Sequence, residues 1–192
     1  MSISSHHLIL GGQRSGKSRH AERLAQAWLQ RAPGHGVTVV ATAVAADEEM
    51  HQRIARHRAD RPEGFEVCEA PQDLGGALRA LSDPQRLVVV DCLTLWVTNT
   101  WMPAQPAVAH AEASADAWGL RRQAFLDALD AHRGPVVLVS NEIGMGVIPL
   151  GEDVRRVVDE LGRLHQDVAQ RCGLITLMAA GQPFTQQVQR WA

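Results

Sequence analysis

The run from His7 to Ser18 constrains this chain more than any other. Four residues of apolar strand character (HLIL) lead into GGQRSGKS, and a helical pattern follows from about Lys17 to Arg31. Strand, glycine turn and helix in that order aim the turn's backbone amides and the helix N-terminus at one point, where an anion is favoured. The spacing is G-x-x-x-x-G-K-S, the pattern of a phosphate-cradling loop in the context that motif needs. Gly11, Gly12 and Gly16 let the backbone wrap closely around phosphates. Gln13, Arg14 and Ser15 form the turn, and Arg14 is placed to touch a phosphate. Lys17 is expected to reach the β- and γ-phosphates of a nucleotide, and Ser18 to ligate Mg²⁺. Arg19, just beyond, reads as solvated helix surface.

The remainder of the chain alternates in the same way. VTVVAT (37–42), RLVVVD (86–91), PVVLVS (135–140) and LITLMAA (174–180) read as strands, and FEVCEA as a further short one. Helices are expected over 47–60, stopped by Pro62, and near 116–132 and 151–171. The strands are nearly continuous apolar runs, as strands covered on both faces are. The expected fold is α/β and P-loop NTPase-like, a mostly parallel central sheet flanked by helices on both faces. No internal repeat or linker interrupts it, so residues 1–192 read as one nucleotide-binding domain. The Pro/Ala-rich stretch 102–115 reads as an excursion or lid.

Composition narrows the function. With 192 residues, the chain is long enough for a full core, and a net charge of −2 gives no basic footprint for nucleic acid. Cys68, Cys92 and Cys172 are scattered and odd in number, which argues against a disulfide framework or zinc site and fits a reducing cytoplasm. The N-terminus lacks the pattern of a signal peptide, and VTVVATAVAA is too short and polar to span a bilayer.

Two further features carry chemistry. Asp91 ends an apolar strand, where an acid beside a phosphate loop is the usual partner for its Mg²⁺, directly or through water; the competing reading is a turn-forming aspartate. EMHQRIARHRADRP (49–62) sets His57 among Arg53, Arg56, Arg58 and Arg61. On a helix Arg53, His57 and Arg61 share a face. Surrounding cations disfavour imidazolium, so the ring stays neutral and nucleophilic while guanidiniums clamp phosphate. The plainer alternative is an exposed helix residue. His51 reads as surface, and the other histidines show no metal-ligand spacing. After the strand 135–140, Asn141 and Glu142 in SNEIGMGVIP either face the site or cap a helix.

Together LILGGQRSGKSRHAE, VATAVAADEEMHQRIARHRADRP, VVVDCLTLWVTN and VVLVSNEIGMGVIP resemble the bifunctional adenosylcobinamide kinase/adenosylcobinamide-phosphate guanylyltransferase family of cobalamin biosynthesis, from about residue 8 to residue 181. The resemblance implies phosphorylation of adenosylcobinamide by ATP or GTP, then transfer of GMP from GTP to adenosylcobinamide phosphate through a guanylylated histidine. That role falls on His57, since the family's pair of adjacent histidines is here Arg56–His57. It implies GTP contacts from Gly11–Ser18, from Ala41, Thr42 and Ala43, from Arg58, Ala59, Asp60 and Arg61, and from Glu69 and Asp91. It also implies a homotrimer. Two other readings stay open on the residues alone: a P-loop small-molecule kinase without a covalent intermediate, and a recombinase-like nucleotide-driven switch.

Overall fold

The computed structural model describes residues 6–44, 48, 52, 63–102 and 115–188. The helix expected over 47–60 lies outside these residues except at positions 48 and 52, and His57, Arg58, Ala59, Asp60 and Arg61 lie outside them, as do all but the ends of the 102–115 stretch. The elements are β1 (His7–Gly11), α1 (Lys17–Leu29), β2 (Gly36–Ala41), β3 (Phe65–Glu69), α2 (Leu74–Ala80), β4 (Arg86–Asp91), α3 (Leu93–Trp101), α4 (Ala115–Ala131), β5 (Val136–Val139), α5 (Glu152–Ala169), β6 (Leu174–Ala179) and β7 (Gln182–Gln187). Among the described residues the strands form one seven-stranded sheet in the order β3–β2–β4–β5–β1–β6–β7. All neighbours pair in parallel except β6 and β7.

Strand alternation divides the core into two layers. Leu8, Val40, Val88, Val90 and Leu138 face one side, where they meet Leu74, Leu93, Trp96, Phe125, Leu161 and Leu164 of the four helices α2 to α5. Ile9, Val39, Val89, Val137 and Val139 face the other, against Ala21 and Ala25 of α1. Covered on both faces, the central strands have no solvent-facing side, and this explains their nearly continuous apolar runs.

The strands expected, and the helices expected within the described residues, are present, with ends moved by one to two residues. Three elements were not expected. α2 contains Gly75-Gly76, which reads as a turn, yet Asp73 caps it by accepting a hydrogen bond from the Gly76 amide at 2.8 Å. Gly75 is buried against α4, where a Cβ would stand 2.8 Å from the Ala124 carbonyl oxygen, so the glycine is a close-approach residue. α3 is rich in β-branched residues and looks like strand. Burial of Trp96 and Val97 overrides that propensity, and the Thr98 and Thr100 hydroxyls donate back to the Thr94 and Trp96 carbonyls. β7 is polar, carries Pro183 and is exposed throughout. It forms because Ala180 (φ 51°) and Gly181 (φ 77°) make a two-residue hairpin turn with both residues left-handed, the geometry that matches strand twist.

Candidate active site

The parallel register brings the carboxyl ends of the strands to one edge. Ala41 lies opposite both Glu69 and Asp91, Val139 opposite both Asp91 and Ile9, and Gly11 opposite Met178. Open parallel sheets bind ligands at this edge. Gly11, Glu69 and Asp91, and the segment beginning at Thr42, are therefore gathered there from distant parts of the sequence.

The glycine turn is held from three sides. The Glu142 amide donates to the Gly11 carbonyl at 3.0 Å, the Gly181 amide of the β6–β7 turn donates to the Ser15 carbonyl at 3.1 Å, and the Ser15 amide donates to the Gly12 carbonyl at 3.3 Å. Gly11 has no room for a side chain: a Cβ would lie 2.5 Å from the Met178 carbonyl oxygen and 2.6 Å from Ser15 Oγ. Arg14 adopts φ 55°, an uncommon conformation for a residue with a side chain. Gly16 caps α1 with φ 100°, no side chain caps that helix, and no acidic residue sits in its first turn. The helix thus keeps its positive end for an anion. Lys17 is buried, and its ammonium donates to the Gly12 carbonyl at 2.7 Å, folded over the loop it belongs to. Ser15 Oγ is buried without a hydrogen-bond partner. An orphaned hydroxyl inside a turn of amides is what a cradle shaped for phosphate oxygens presents.

Thr42 is wholly buried. It accepts from the Cys92 amide at 2.9 Å and donates to the Cys92 carbonyl at 2.7 Å, while its own amide donates to the Asp91 carbonyl at 3.2 Å. Asn99 Nδ2 adds donations to the Thr42 and Pro71 carbonyls. The side chain therefore ties the ends of β2 and β4 together, and the chain beyond it opens toward solvent at Ala43 and Val44. Asp91 is half-buried at the tip of β4, and Glu69 is exposed at the tip of β3.

Ser18 and Asp91, the two residues expected to hold Mg²⁺, would offer one hydroxyl and one carboxylate. Among the described residues no group of three or more His, Cys, Asp or Glu is placed to hold a metal. Few protein oxygens, with the remaining positions left to water and phosphate, suit Mg²⁺ rather than a metal that needs a closed cage. The residues present therefore fit that ion.

A polar cluster at the end of β5 includes three residues with no evident signal in the sequence. Thr94 Oγ1 accepts from the Asn141 amide at 2.8 Å and lies 3.1 Å from Ser140 Oγ, which is 2.7 Å from His165 Nε2. His165 Nδ1 is 3.8 Å from Glu142 Oε2, and Glu142 Oε1 accepts from the Gly144 amide at 2.7 Å. Burial holds the His165 imidazole below its usual pKa, opposed by the Glu142 carboxylate. In the sequence His165 is one polar residue on the apolar stripe Val157, Leu161, Leu164, Val168 of α5, which reads as a helix face and no more. Glu142 is readable as a polar residue after a strand that either faces the site or caps a helix; its amide lies against the Gly11 carbonyl.

Residues 7–186 match the model of the family described as cobinamide kinase / cobinamide phosphate guanyltransferase. The chain is similar to the bifunctional adenosylcobalamin biosynthesis protein CobP of Pseudomonas aeruginosa, with 47% identity over 92% of this chain and 94% of the relative. It is 34% identical to the bifunctional adenosylcobalamin biosynthesis protein CobU of Escherichia coli, over 91% of this chain and 95% of the relative. Among solved structures, the flagellar accessory protein FlaH of Methanocaldococcus jannaschii superposes with a TM-score of 0.48 and 16% identity, covering 95% of this chain and 76% of that one. The resemblance carried by the four sequence segments thus extends over nearly the whole chain, which belongs to the cobinamide kinase / cobinamide phosphate guanyltransferase family of enzymes.

Proposed function

We propose that this protein phosphorylates adenosylcobinamide with ATP or GTP and then transfers GMP from GTP to adenosylcobinamide phosphate, through a guanylyl group carried on His57. The observation that carries the reading is the glycine cradle at the sheet edge, with Lys17 folded into it and the uncapped N-terminus of α1 behind it, in a chain of this family.

In the kinase step the cradle amides and Lys17 hold the β- and γ-phosphates and stabilise charge on the transferred group. Ser18 and Asp91 would hold Mg²⁺, directly or through water, which supplies charge neutralisation on the phosphate oxygens. In the second step the neutral His57 imidazole attacks the α-phosphorus of GTP. The nitrogen–phosphorus bond forms as the bond to the β-phosphate breaks and pyrophosphate leaves. A phosphate oxygen of the substrate then attacks the phosphoramidate, freeing His57 and giving adenosylcobinamide-GDP. Ala41 to Ala43, Arg58 to Arg61 and Glu69 are proposed to contact the nucleotide. We also propose that residues 1–192 act as one domain, that the protein is a cytoplasmic homotrimer, that it takes no nucleic acid as a partner, and that it is not stably inserted in a membrane.

The test is incubation with GTP labelled at the α-phosphate, followed by peptide mapping. Label on the peptide containing His57, discharged by adenosylcobinamide phosphate and absent from His57→Ala, is expected. No covalent label, with phosphorylation of adenosylcobinamide intact, would leave a small-molecule kinase without an intermediate. Slow hydrolysis indifferent to cobinamide would instead favour a nucleotide-driven switch.

A further inference from the structure

Glu142 is joined to the glycine cradle through its backbone amide. β5 is the immediate neighbour of β1, and the Glu142 amide donates to the first residue of the cradle at 3.0 Å. Its side chain is neither free in solvent nor sealed away, with 21% of its surface exposed. One carboxylate oxygen accepts from the Gly144 amide, and the other faces His165 Nδ1 at 3.8 Å, outside hydrogen-bond range but close enough for electrostatic coupling. Among the described residues no Lys or Arg lies within ion-pair distance of it.

The cluster behind it admits a self-consistent hydrogen pattern. Thr94 Oγ1 accepts from the Asn141 amide and donates to Ser140, and Ser140 donates to His165 Nε2. In that pattern His165 is the tautomer with its proton on Nδ1, directed at Glu142. A buried histidine held this way orients a carboxylate without neutralising it.

We propose that Glu142 is the general base of the kinase step and that His165 is its positioning residue. The inference rests on the kinase reading above. The acceptor hydroxyl oxygen attacks the γ-phosphorus, and the new oxygen–phosphorus bond forms as the bond to the β-phosphate oxygen breaks. Its electron pair leaves with the nucleoside diphosphate, and the hydroxyl proton passes to Glu142, which returns it to solvent. An alcohol needs such a base. The acceptor of the second step does not, because a phosphate monoester is already largely anionic at neutral pH. The two activities of the enzyme therefore respond differently to loss of Glu142.

The experiment measures both activities separately in the wild type, Glu142→Gln, Glu142→Ala, His165→Gln and His165→Leu. A positioned base contributes roughly 10²–10⁴-fold. Glu142→Gln is expected to lose at least about 10²-fold in kinase kcat with little change in KM, while guanylyl transfer to supplied adenosylcobinamide phosphate changes by less than about threefold. Formate is expected to restore part of the kinase rate to Glu142→Ala. His165→Gln, which still reaches Ser140, should lose less kinase activity than His165→Leu. Parallel loss of both activities, or no loss of either, overturns the proposal, as does a kinase defect in Glu142→Ala that formate leaves unchanged. A wild type lacking kinase activity would instead refute the kinase reading itself.

Discussion

Thr42→Val isolates the polar tie between the ends of β2 and β4. The substitution keeps shape and removes a hydroxyl that is fully buried and bonded twice to Cys92. The two losses are unequal. The Cys92 carbonyl still accepts from the Trp96 amide at 3.3 Å, so it loses one of two partners. The Cys92 amide loses the acceptor Thr42 supplies, in a residue only 8% exposed. An orphaned buried donor costs about 1–3 kcal/mol, and a lost bond to a group that keeps another partner about 0.5–1.5 kcal/mol. Allowing for the methyl gained, a net loss of about 2–3 kcal/mol is expected. At this chain length each kcal/mol moves Tm by about 2–4 °C, so Tm should fall by about 4–12 °C. Thr42→Ser keeps both hydrogen bonds and gives up one buried methyl, about 1 kcal/mol. Calorimetry, with urea unfolding to confirm an unchanged m value, ranks the three proteins. The order wild type, Ser, Val is expected. A Val variant as stable as the Ser variant would refute the view that hydrogen bonding, rather than packing, holds these strand ends together.

Three other outcomes follow from the geometry. Gly11→Ala should abolish nucleotide binding measured by titration calorimetry, because its Cβ would meet the Met178 carbonyl at 2.5 Å and only a shift of the loop relieves that; unchanged affinity would contradict the close approach. His7 is lowered to about 4 by burial and by the nearby His20, against an ordinary 6.5. Between those values the unfolded chain binds the extra proton, so stability present above pH 6.5 is lost as pH falls toward 4, by up to about 1.4 kcal/mol per pH unit. His7→Gln should flatten that part of the urea-stability profile relative to wild type. Glu69→Ala should raise the KM for GTP in guanylyl transfer at least about fivefold and leave the kinase kcat within about twofold; a kinase kcat that falls as far as the guanylyl-transfer rate would refute a remote nucleotide contact.

The sequence is informative where one local rule and the tertiary structure agree. VVVD and VVLV are strands by pattern and by position in a sheet covered on both faces, so they could be read directly. The glycine turn was equally legible, because Gly11 and Gly16 answer to backbone demands the motif states, while the left-handed Arg14 does not. α3 was not, since TLWVTNTW prefers strand locally and becomes helix only through the burial of Trp96. The β7 hairpin was hidden because its turn is Ala-Gly rather than Asn-Gly. The Thr94–Ser140–His165 cluster joins residues 25 and 46 positions apart through ordinary side chains, and no spacing rule connects them.

On the proposed function, sheet order would also separate the two chemistries along one edge. β5 adjoins β1, so Glu142 meets the cradle directly. β2 lies three strand spacings from β1, roughly 14 Å, and β3 four spacings, roughly 19 Å. The segment that carries His57 leaves the sheet at the end of β2 and rejoins it at Phe65 of β3, so both its anchors are remote from Gly11. A triphosphate held by its γ end in the cradle, with its nucleoside directed toward β3, runs in the order γ, β, α, ribose, base across those same strands. Such a ligand presents the phosphorus attacked in the kinase step beside Glu142, and turns its α-phosphorus toward the side where the His57 segment is rooted. The proposed second nucleophile then belongs to the far end of the nucleotide. Under the proposed function, that division would let one cradle serve both an alcohol and a histidine without either occupying the other's place.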